Sequence, residues 1–276
     1  MPIKVDSTIR VFDEDEFHEL AYKIIGVAFE VHRQLGRLME EDVYKRVICE
    51  QCARAGLAVA RREVEIKVTF KDFAKSYFMD LLFNCGLMVE AKTAERLSDS
   101  HHSQTLHYLL LSGMRHGLLM NFRPSKVQKR FVSTTLNLSQ RRMIHVHDAD
   151  WLPNDQSGQR LRDLFLAMLN DWGAFLQLSL YREALVHFFG GSSSVRRRIP
   201  IIYQGKESGS HEVCMIAEAT AMALTGLKDG QSKMRIQLQR FLQHTRLSRI
   251  QWINMNNHDI EFRTLTNGAT STARDK

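Results

Sequence analysis

Asp80, Glu90 and Lys92 are the residues of this sequence whose types and spacing are best suited to chemistry. A short hairpin loop over 84–86 would set Asp80 directly opposite Glu90 on neighbouring strands. Lys92 follows two residues after Glu90 and therefore shares its strand face. Opposed side chains have Cβ atoms roughly 5 Å apart, and two like charges at that distance destabilise a hairpin unless something compensates them.

A divalent cation would provide that compensation. Two carboxylates at this separation make a hard-oxygen site suited to Mg²⁺ or Mn²⁺, which also keep water ligands. Lys92 would then place a positive charge where it can orient a nucleophilic water or stabilise a pentacovalent phosphate. The alternative is a solvated hairpin face on which Glu90 and Lys92 form a surface ion pair. The apolar neighbours Met79, Leu81 and Leu82 favour the first interpretation, because an ionisable group in a buried strand needs a stabilising partner.

Hydrophobic periodicity on both sides of the hairpin predicts a small α/β domain that would position these residues. Apolar residues at helical spacing predict helices that end at Gly36 and Gly56, and Ser98 or Asp99 would cap a later helix. The predicted elements are, in chain order, helices over about 24–35 and 40–55, strands over 64–70, 77–83 and 87–92, a helix over about 98–113, and strands over 117–122 and 129–134. This order is that of a sheet with helices packed against it.

Residues about 15–135 resemble the GxxExxY proteins, a branch of the PD-(D/E)XK nuclease superfamily. The segments that carry the resemblance are ELAYKIIGVAFEVHRQLG, EEDVYKRV, MDLLFNCGLMVEAK and SQTLHYLLLSGMRHGLLMNF. The resemblance implies a restriction-endonuclease-like α/β fold, a mixed central sheet flanked by helices, that hydrolyses phosphodiester bonds in DNA. It also implies individual roles: Asp80, Glu90 and the carbonyl of Ala91 as metal ligands, Lys92 as the catalytic lysine, and Glu41 as the helix-borne acid that completes the metal shell.

Two further features of the predicted helices bear on the resemblance. Gln104 and Tyr108 match the family's Q-x-x-x-Y, which implies a catalytic role for Gln104 and a nucleic-acid contact for Tyr108. The glycine of the name motif falls on Leu38, so the sequence reads L-x-x-E-x-x-Y with Glu41 and Tyr44 in place. The alternative for Glu41 is a solvated residue that the helix dipole favours in a first turn.

Cys49 and Cys52 form a C-x-x-C motif, which elsewhere indicates zinc, iron–sulfur or redox chemistry. The motif lies within a predicted helix, and the remaining cysteines, Cys85 and Cys214, stand alone in the sequence. Zinc normally requires four ligands at compact spacing. We therefore interpret the pair as cysteines that pack a helix.

The second half of the chain resembles the first. Residues 104–122 align without a gap with 237–255, and the segments DVYKRVI and MVEAKTAERL resemble SLYREAL and MIAEATAMAL. We interpret this as a weak internal repeat, with generic apolar spacing in two helix–strand units as the alternative. The replacements in this alignment are Glu90 by Ala217, Lys92 by Ala219 and Glu41 by Leu178. A copy without these groups cannot hold the cation, so we predict a second, degenerate nuclease-like α/β domain.

A polar run over 147–158 favours turns and predicts a division of the chain. The predicted segments are a nuclease domain over 1–148, a linker over 149–158, the degenerate domain over 159–265 and a disordered polar tail over 266–276. Basic residues of the degenerate domain are predicted to contact phosphates, with a solvated helical face as the alternative. They are Arg196, Arg197, Arg198 and Arg246.

The 276 residues carry a formal net charge of +7 at pH 7. Residues 1–150 contribute +2, from 22 basic and 20 acidic residues, and residues 151–276 contribute +5, from 16 and 11. This excess makes an anionic partner such as nucleic acid worth testing, with ordinary surface basicity as the alternative. No apolar run approaches the length of about eighteen residues that spans a bilayer, and the acidic N-terminal segment lacks a signal-peptide pattern. We therefore expect an intracellular, cytoplasmic protein without a membrane partner.

The sequence thus predicts a Mg²⁺- or Mn²⁺-dependent deoxyribonuclease in which Asp80 and Glu90 bind the metal and Lys92 positions the attacking water. The alternative is a nucleic-acid-binding or scaffold protein that keeps the nuclease fold with weak or no catalysis. RNA is the less favoured substrate because no feature reads a 2′-hydroxyl. DNA repair, recombination and mobile-element defence are settings where such folds often occur. A homodimer, single- or double-stranded DNA, and endonuclease or exonuclease action are all compatible with the sequence.

Overall fold

The computed structural model describes residues 2–152 and 156–267. The chain divides into two compact units, residues 1–140 and 141–276. Each unit contains one six-stranded sheet with parallel and antiparallel neighbours, and helices accompany both sheets. The mixed α/β class that the sequence predicts is therefore confirmed. None of the described helices is long and apolar enough to cross a membrane.

The first unit contains every element predicted for it and one additional short strand at its start. Its elements are β1 (Ile3–Val5), α1 (Glu14–Leu35), α2 (Glu41–Arg54), β2 (Ala60–Phe70), β3 (Phe73–Phe83), β4 (Leu87–Lys92), α3 (Asp99–Ser112), β5 (His116–Asn121) and β6 (Gln128–Ser133). The strands follow chain order across the sheet, and β4 and β5 are the parallel pair. A parallel pair requires a crossover connection, which α3 provides.

The helices of the first unit begin and end at local signals. Asp13 caps α1 by accepting a hydrogen bond from the backbone N–H of Glu16 at 2.8 Å. Gly36 ends α1 with φ of 72°, a left-handed value that favours glycine. Ser98 caps α3 and forms a capping box with His101. The predicted cap is therefore confirmed, and His101 holds the start of α3.

The core of the first unit fixes α1 and α2 against the hairpin of β3 and β4. Ile24, Ala28 and Val31 are buried at helical spacing along α1. Leu81 and Val89 from the hairpin belong to the same buried cluster. Burying an aliphatic side chain of this size contributes about 1.5–3 kcal/mol each. The hairpin that carries Asp80 and Glu90 is thus held by packing independent of those charges.

The second unit contains its own sheet. A short helix, α4 (Leu138–Arg141), spans the division between the units. The elements that follow are β7 (His145–His147), α5 (Gln156–Trp172), α6 (Leu178–Phe188), α7 (Ser192–Val195), β8 (Arg196–Tyr203), β9 (Lys206–Ala217), β10 (Thr220–Thr225), α8 (Gln231–Gln243), β11 (Arg249–Asn256) and β12 (Asp259–Thr266). The strand order is β7-β12-β11-β10-β9-β8. The strands β10 and β11 are parallel and joined by α8.

The predicted boundary at 148 differs from the division in the structure. Strand β7 pairs with β12, so residues 145–147 belong to the second sheet. The predicted linker 149–158 is wrong at its end, because α5 already begins at Gln156. Residues 153–155 of that linker and 268–276 of the predicted tail lie outside the described residues. The turn-forming residues Ser157 and Gly158 lie in the first turn of α5, where such residue types are tolerated.

The two units share an order of elements and two local hydrogen-bond patterns. Each has two helices, three strands, a crossover helix and two strands in the same sequence, apart from α7 and the edge strands β1 and β7. Asn121 accepts from the backbone N–H of Ala94 (3.0 Å) and donates to its carbonyl (2.7 Å). Asn254 makes the same pair of bonds with Leu227, at 2.8 and 3.0 Å.

A tyrosine also occupies matching positions in the two units. Tyr44 donates its hydroxyl to the carbonyl of Gly36 (2.5 Å), and Tyr181 donates to the carbonyl of Gly173. Both glycines end a helix with positive φ, 72° and 75°. These hydrogen bonds align the two units residue by residue, independently of the matching apolar residues in the sequence.

The structural alignment corrects the predicted replacements for Glu90 and Lys92. Lys92 pairs with Asn121 in the first sheet, and Thr225 pairs with Asn254 in the second. The position of Lys92 is therefore taken by Thr225, and that of Glu90 by Ala223. The predicted counterparts Ala217 and Ala219 are wrong, because Ala217 ends β9 and Ala219 lies in the turn before β10. Leu178 starts α6 as Glu41 starts α2, which agrees with the third replacement.

Candidate active site

The hairpin has the predicted register. Asn84 and Cys85 have φ of 46° and 60°, and the N–H of Gly86 donates to the carbonyl of Phe83 at 3.0 Å. Two successive left-handed residues closed by this bond form the tight turn that suits the twist of antiparallel strands. The recorded pairs end at Leu81 and Val89, so Asp80 and Glu90 come next in register.

Asp80 and Glu90 are buried, with exposed fractions of 7% and 1%. Beyond the last paired residues, their carboxylates hold the strands together. The N–H of Ala91 donates to Asp80 Oδ2 at 2.9 Å, and the N–H of Asp80 donates to Glu90 Oε1 at 3.3 Å. The interpretation of this hairpin as a solvated face is therefore wrong for both acids.

Lys92 lies between the two buried acids. Its Nζ is 3.5 Å from Glu90 Oε2 and 3.6 Å from Asp80 Oδ2. Burial alone would lower the pKa of Lys92, but the negative charges of Glu90, Asp80 and Glu41 outweigh it and the net shift of the pKa is upward. Lys92 is therefore an ammonium donor at neutral pH and not a proton acceptor.

A second lysine reaches the same carboxylate from the other side. Lys45 lies one helical turn after Glu41 on α2, and its Nζ is 3.1 Å from Asp80 Oδ1, 2.5 Å from Glu63 Oε1 and 3.9 Å from Glu41 Oε1. The lysine side chain is 9% exposed. The pKa of Lys45 is raised, because the hydrogen bond to Glu63 and the charge of Asp80 outweigh its burial.

Sequence reasoning missed Lys45 and Glu63. The i, i+4 spacing of Glu41 and Lys45 was a visible signal of a helical ion pair. Glu63 lies between the residues of β2 that pair with Met79 and Leu81, and therefore opposite Asp80, with φ of 51°. No local pattern predicts that placement, because it depends on which strand lies beside β3.

The cluster carries an excess of negative charge. Four carboxylates, Glu41, Glu63, Asp80 and Glu90, face two ammonium groups, Lys45 and Lys92, for a formal charge of −2. Burial and the neighbouring Asp80 raise the pKa of Glu90 well above its ordinary value, although Lys92 opposes the shift. The pKa of Glu41 is raised by the same two causes. Raised pKa values of neighbouring acids indicate a place where an added cation is favourable.

Two buried carboxylates and a backbone carbonyl are oxygen donors of the kind that Mg²⁺ and Mn²⁺ prefer. The residues present thus fit such an ion through Asp80, Glu90 and the carbonyl of Ala91. Among the described residues, no group of three or more His, Cys, Asp and Glu side chains is arranged to hold a metal ion. Glu41 contacts Lys45 instead, so the predicted third acid is not brought into a shared donor set.

Gln104 and Tyr108 lie together on α3. Gln104 Nε2 donates to the Tyr108 hydroxyl at 3.1 Å. Burial raises the pKa of Tyr108, the bond from Gln104 lowers it, and the charges of Glu90 and Asp80 raise it further. The two predicted residues are therefore coupled to each other, and the tyrosine is within electrostatic range of the acids.

The C-x-x-C pair lies on α2. Cys52 is buried in the core of the first unit and Cys49 packs against that core. Burial raises the pKa of each thiol to about 11. Both thiols are thus protonated at neutral pH, which disfavours metal binding and nucleophilic chemistry.

The predicted phosphate-binding arginines lie in the second unit. Arg196, Arg197 and Arg198 are exposed on strand β8, at the edge of the sheet and not on a helix, and Arg246 is exposed after α8. Arg196 lies 3.6 Å from Glu212, and Arg198 donates to the side chain and backbone of Ser210.

Comparison with known proteins places the first unit in a family context. Residues 18–132 match the model of the PD-(D/E)XK nuclease superfamily. The matched range contains Glu41, Asp80, Glu90, Lys92 and Gln104. The restriction-endonuclease-like expectation for this unit is consistent with that match, and nucleases of the superfamily typically use Mg²⁺ or Mn²⁺.

No curated protein matches the chain. Among solved structures, the crystal structure of SSO0001 is similar over 45% of this chain, with 16% sequence identity and a TM-score of 0.30. The chain spans 61% of the length of that protein.

Proposed function

We propose that the protein is a metal-dependent nuclease that hydrolyses phosphodiester bonds in DNA, with its active site in the first unit. The observation that carries the proposal is the buried pair Asp80 and Glu90 with Lys92 Nζ within 3.6 Å of both carboxylates. The match of residues 18–132 to a nuclease superfamily supports the reaction class.

The chemistry of each side chain sets its proposed role in the reaction. Asp80, Glu90 and the Ala91 carbonyl would hold Mg²⁺ or Mn²⁺, and Glu41 would assist through water. When bound, the cation supplies Lewis-acid stabilisation of charge on the phosphate and lowers the pKa of water. Lys92, kept protonated by the acids around it, donates hydrogen bonds to the attacking water and to the phosphate as negative charge develops.

The remaining predicted residues would orient the substrate. Gln104 donates to the hydroxyl of Tyr108, and the charges of Glu90 and Asp80 act on the pKa of that tyrosine. Tyr108 would contact the nucleic-acid strand.

Hydrolysis forms a bond from water oxygen to phosphorus and breaks one ester bond, and the leaving oxygen takes up a proton.

The finer family assignment and the biological setting belong to the same proposal. The L-x-x-E-x-x-Y and Q-x-x-x-Y segments support the GxxExxY branch. DNA is the proposed substrate, in a cytoplasmic role in DNA repair, recombination or defence against mobile elements, and a homodimer is compatible with it.

We also propose that the second unit is a degenerate copy of the first. The shared order of elements, the two asparagine bond pairs and the two tyrosine bonds support a common origin. A copy that lacks the acids would bind nucleic acid through Arg196, Arg197, Arg198 and Arg246 without cutting it.

A direct test measures cleavage of single- and double-stranded DNA with Mg²⁺ or Mn²⁺. Asp80→Asn and Lys92→Met should each reduce the rate by at least about 100-fold, a typical loss for a group that stabilises charge in the transition state. Asp42→Asn is the matched control, because Asp42 lies beside Glu41 on α2 but pairs with Arg46 and Arg62 on the exposed side. Equal rates in the wild type and both site variants would contradict the assignment.

A second candidate function is nucleic-acid binding or scaffolding without useful turnover. Two observations favour it: Lys45 already lies 3.1 Å from Asp80 Oδ1, and the family glycine is replaced by the exposed Leu38. DNA binding that weakens with salt, together with no cleavage under either metal, would support this function.

A further inference from the structure

The second unit has a cavity at the place that corresponds to the candidate active site of the first. Its volume is about 530 Å³, and residues of α6, β9, β10 and α8 line it. Such a volume is in the range of ligand pockets, roughly 300–1,000 Å³. The lining includes Val213 and Ala223, both of them half-buried, where the matching Asp80 and Glu90 are buried.

The strand pairing of the second sheet and the order of residues along α6 identify the counterparts of the six charged residues that form the candidate active site of the first unit. Continuing the hairpin pairing of β9 and β10 from Met222 and Cys214 sets Ala223 opposite Val213. Arg197 pairs with Val213 in the second sheet, where Glu63 lies opposite Asp80 in the first. Arg182 follows Tyr181 as Lys45 follows Tyr44. The counterparts of Glu41, Lys45, Glu63, Asp80, Glu90 and Lys92 are Leu178, Arg182, Arg197, Val213, Ala223 and Thr225.

These replacements invert the formal charge at the six matched positions. The first unit has four acids and two bases at these positions, a formal charge of −2. The second has no acid and two arginines, a formal charge of +2. Glu212 also lines the cavity, but its carboxylate lies 3.6 Å from Arg196, which offsets it. Of the two arginines, Arg182 lines the cavity, whereas Arg197 is exposed and donates to the carbonyl of Ser194. The cavity thus presents the guanidinium of Arg182 where the first unit has an excess of carboxylates, and this guanidinium attracts an anion.

Arg182 is held at the cavity by its own bond. Its Nη2 donates to the carbonyl of Leu224 at 3.0 Å, and both residues line the space. The thiol of Cys214, another lining residue, responds to this field: burial raises its pKa, while the charges of Arg196 and Arg182 act to lower it. A fixed guanidinium of this kind suits a phosphate group.

The cavity is also lined by aromatic, amide and apolar side chains. Phe241 and His211 form an edge-to-face pair with ring centroids 5.3 Å apart. Phe241, which is half-buried, takes the position of Tyr108, and Gln237 that of Gln104. A flat base can stack on such a ring, and an amide can bond either to the base or to a phosphate.

We propose that this cavity binds a nucleotide of single-stranded DNA without cleaving it, with the phosphate on Arg182 and the base against Phe241. The proposal rests on the proposed function in one respect, the choice of DNA as the anionic partner. A single strand fits better than a duplex, because only an unpaired base can enter a half-open space between two helices and a sheet.

The test is the affinity of the full chain for a fluorescein-labelled single-stranded oligonucleotide, measured by anisotropy in EDTA. Arg182→Met should weaken binding about tenfold and reduce the salt dependence by about one counterion. Ala223→Leu should weaken it by a similar factor, because it fills the cavity without changing charge. Arg182→Lys should weaken binding less than Arg182→Met, since it keeps the positive charge but loses the planar guanidinium. Arg235→Met, on the exposed side of α8, is the matched control and should have no effect.

Several results would overturn the proposal. Unchanged affinity in Arg182→Met and Ala223→Leu would do so, as would an equal loss for a blunt duplex. Binding of inorganic phosphate that responds to Arg182→Met while oligonucleotide binding does not would reduce the cavity to a simple anion site. Thermal unfolding of each variant shows whether it is folded. If Arg182→Met is not folded, the affinity of Ala223→Leu decides the test. Because binding is measured without metal, failure of the nuclease assignment leaves this result intact.

Discussion

Lys45 offers a sharp test of how the candidate active site balances its charges. Its side chain is 9% exposed and bonds Asp80, whose side chain is 10% exposed. Replacing it by methionine keeps an unbranched side chain, one heavy atom shorter, and removes the charge. Asp80 then faces Glu90 and Glu63 with Lys92 as the one remaining ammonium group of the cluster.

The expected cost follows from the burial of the pair. Removing one partner of a buried ion pair costs about 3–5 kcal/mol, because the other charge stays buried. The bond to Glu63 adds little, since the glutamate side chain is 50% exposed and screened by solvent. We therefore expect Lys45→Met to lose about 3 kcal/mol of unfolding free energy in urea, measured in EDTA. Arg46→Met is the control on the next residue of α2, where an exposed pair with Asp42 contributes about 0.3–0.5 kcal/mol.

Two further arms separate the charge from simple packing. Lys45→Met combined with Asp80→Asn should cost clearly less than the two single variants together, because neither then leaves an unpaired charge. Mn²⁺ should stabilise Lys45→Met more than the wild type, since a cation no longer competes with the lysine for Asp80 Oδ1. If Lys45→Met costs no more than Arg46→Met, or if the double variant is strictly additive, the ion pair contributes nothing and the reasoning is refuted.

Three other predictions concern the same unit. The pKa of Glu90 is raised in the folded protein, so its contribution to stability is present below its ordinary pKa of 4.5 and is lost as pH rises through the pKa of the folded state. Glu90→Gln should therefore flatten the pH dependence of the unfolding free energy, measured in urea with EDTA. An unchanged pH profile would argue against a buried acid with a raised pKa. Lys92→Met should reduce cleavage by at least about 100-fold but retain Mn²⁺ binding, measured by calorimetry, because an ammonium group is not a metal ligand. Loss of Mn²⁺ binding would point to a structural role. Tyr44→Phe removes the bond to the Gly36 carbonyl and should cost about 1–2 kcal/mol in urea, and a cost near zero would mean that water replaces the hydroxyl.

Local patterns predicted the first unit well because its elements are defined by local physics. The change from helical to alternating periodicity, the capping Ser98 and the stops at Gly36 and Gly113 each act within a few residues. The register of the hairpin followed from its short loop, and with it the opposition of Asp80 and Glu90.

The parts that sequence reasoning missed depend on neighbours far along the chain. Lys45 reaches Asp80 because α2 packs beside the hairpin, and Glu63 faces it because β2 is the next strand of the sheet. The misplaced counterparts in the second unit have a similar cause. The sequence alignment matched apolar residues and so placed Ala217 at the position of Glu90, but the pairing of β10 with β11 identifies Ala223 as the counterpart of Glu90.

The charge difference between the halves of the chain gains a physical meaning from this corrected alignment. Residues 1–140 carry 20 basic and 18 acidic residues, and residues 141–276 carry 18 and 13, giving +2 and +5. The six matched cleft positions alone change from −2 to +2, a difference of four, which exceeds the difference of three between the whole units. Outside the clefts, the two units are therefore nearly equal in charge. The difference in charge between the units therefore lies at the six matched positions, where the first unit has four acids and the second has none, and a difference in general surface basicity does not account for it.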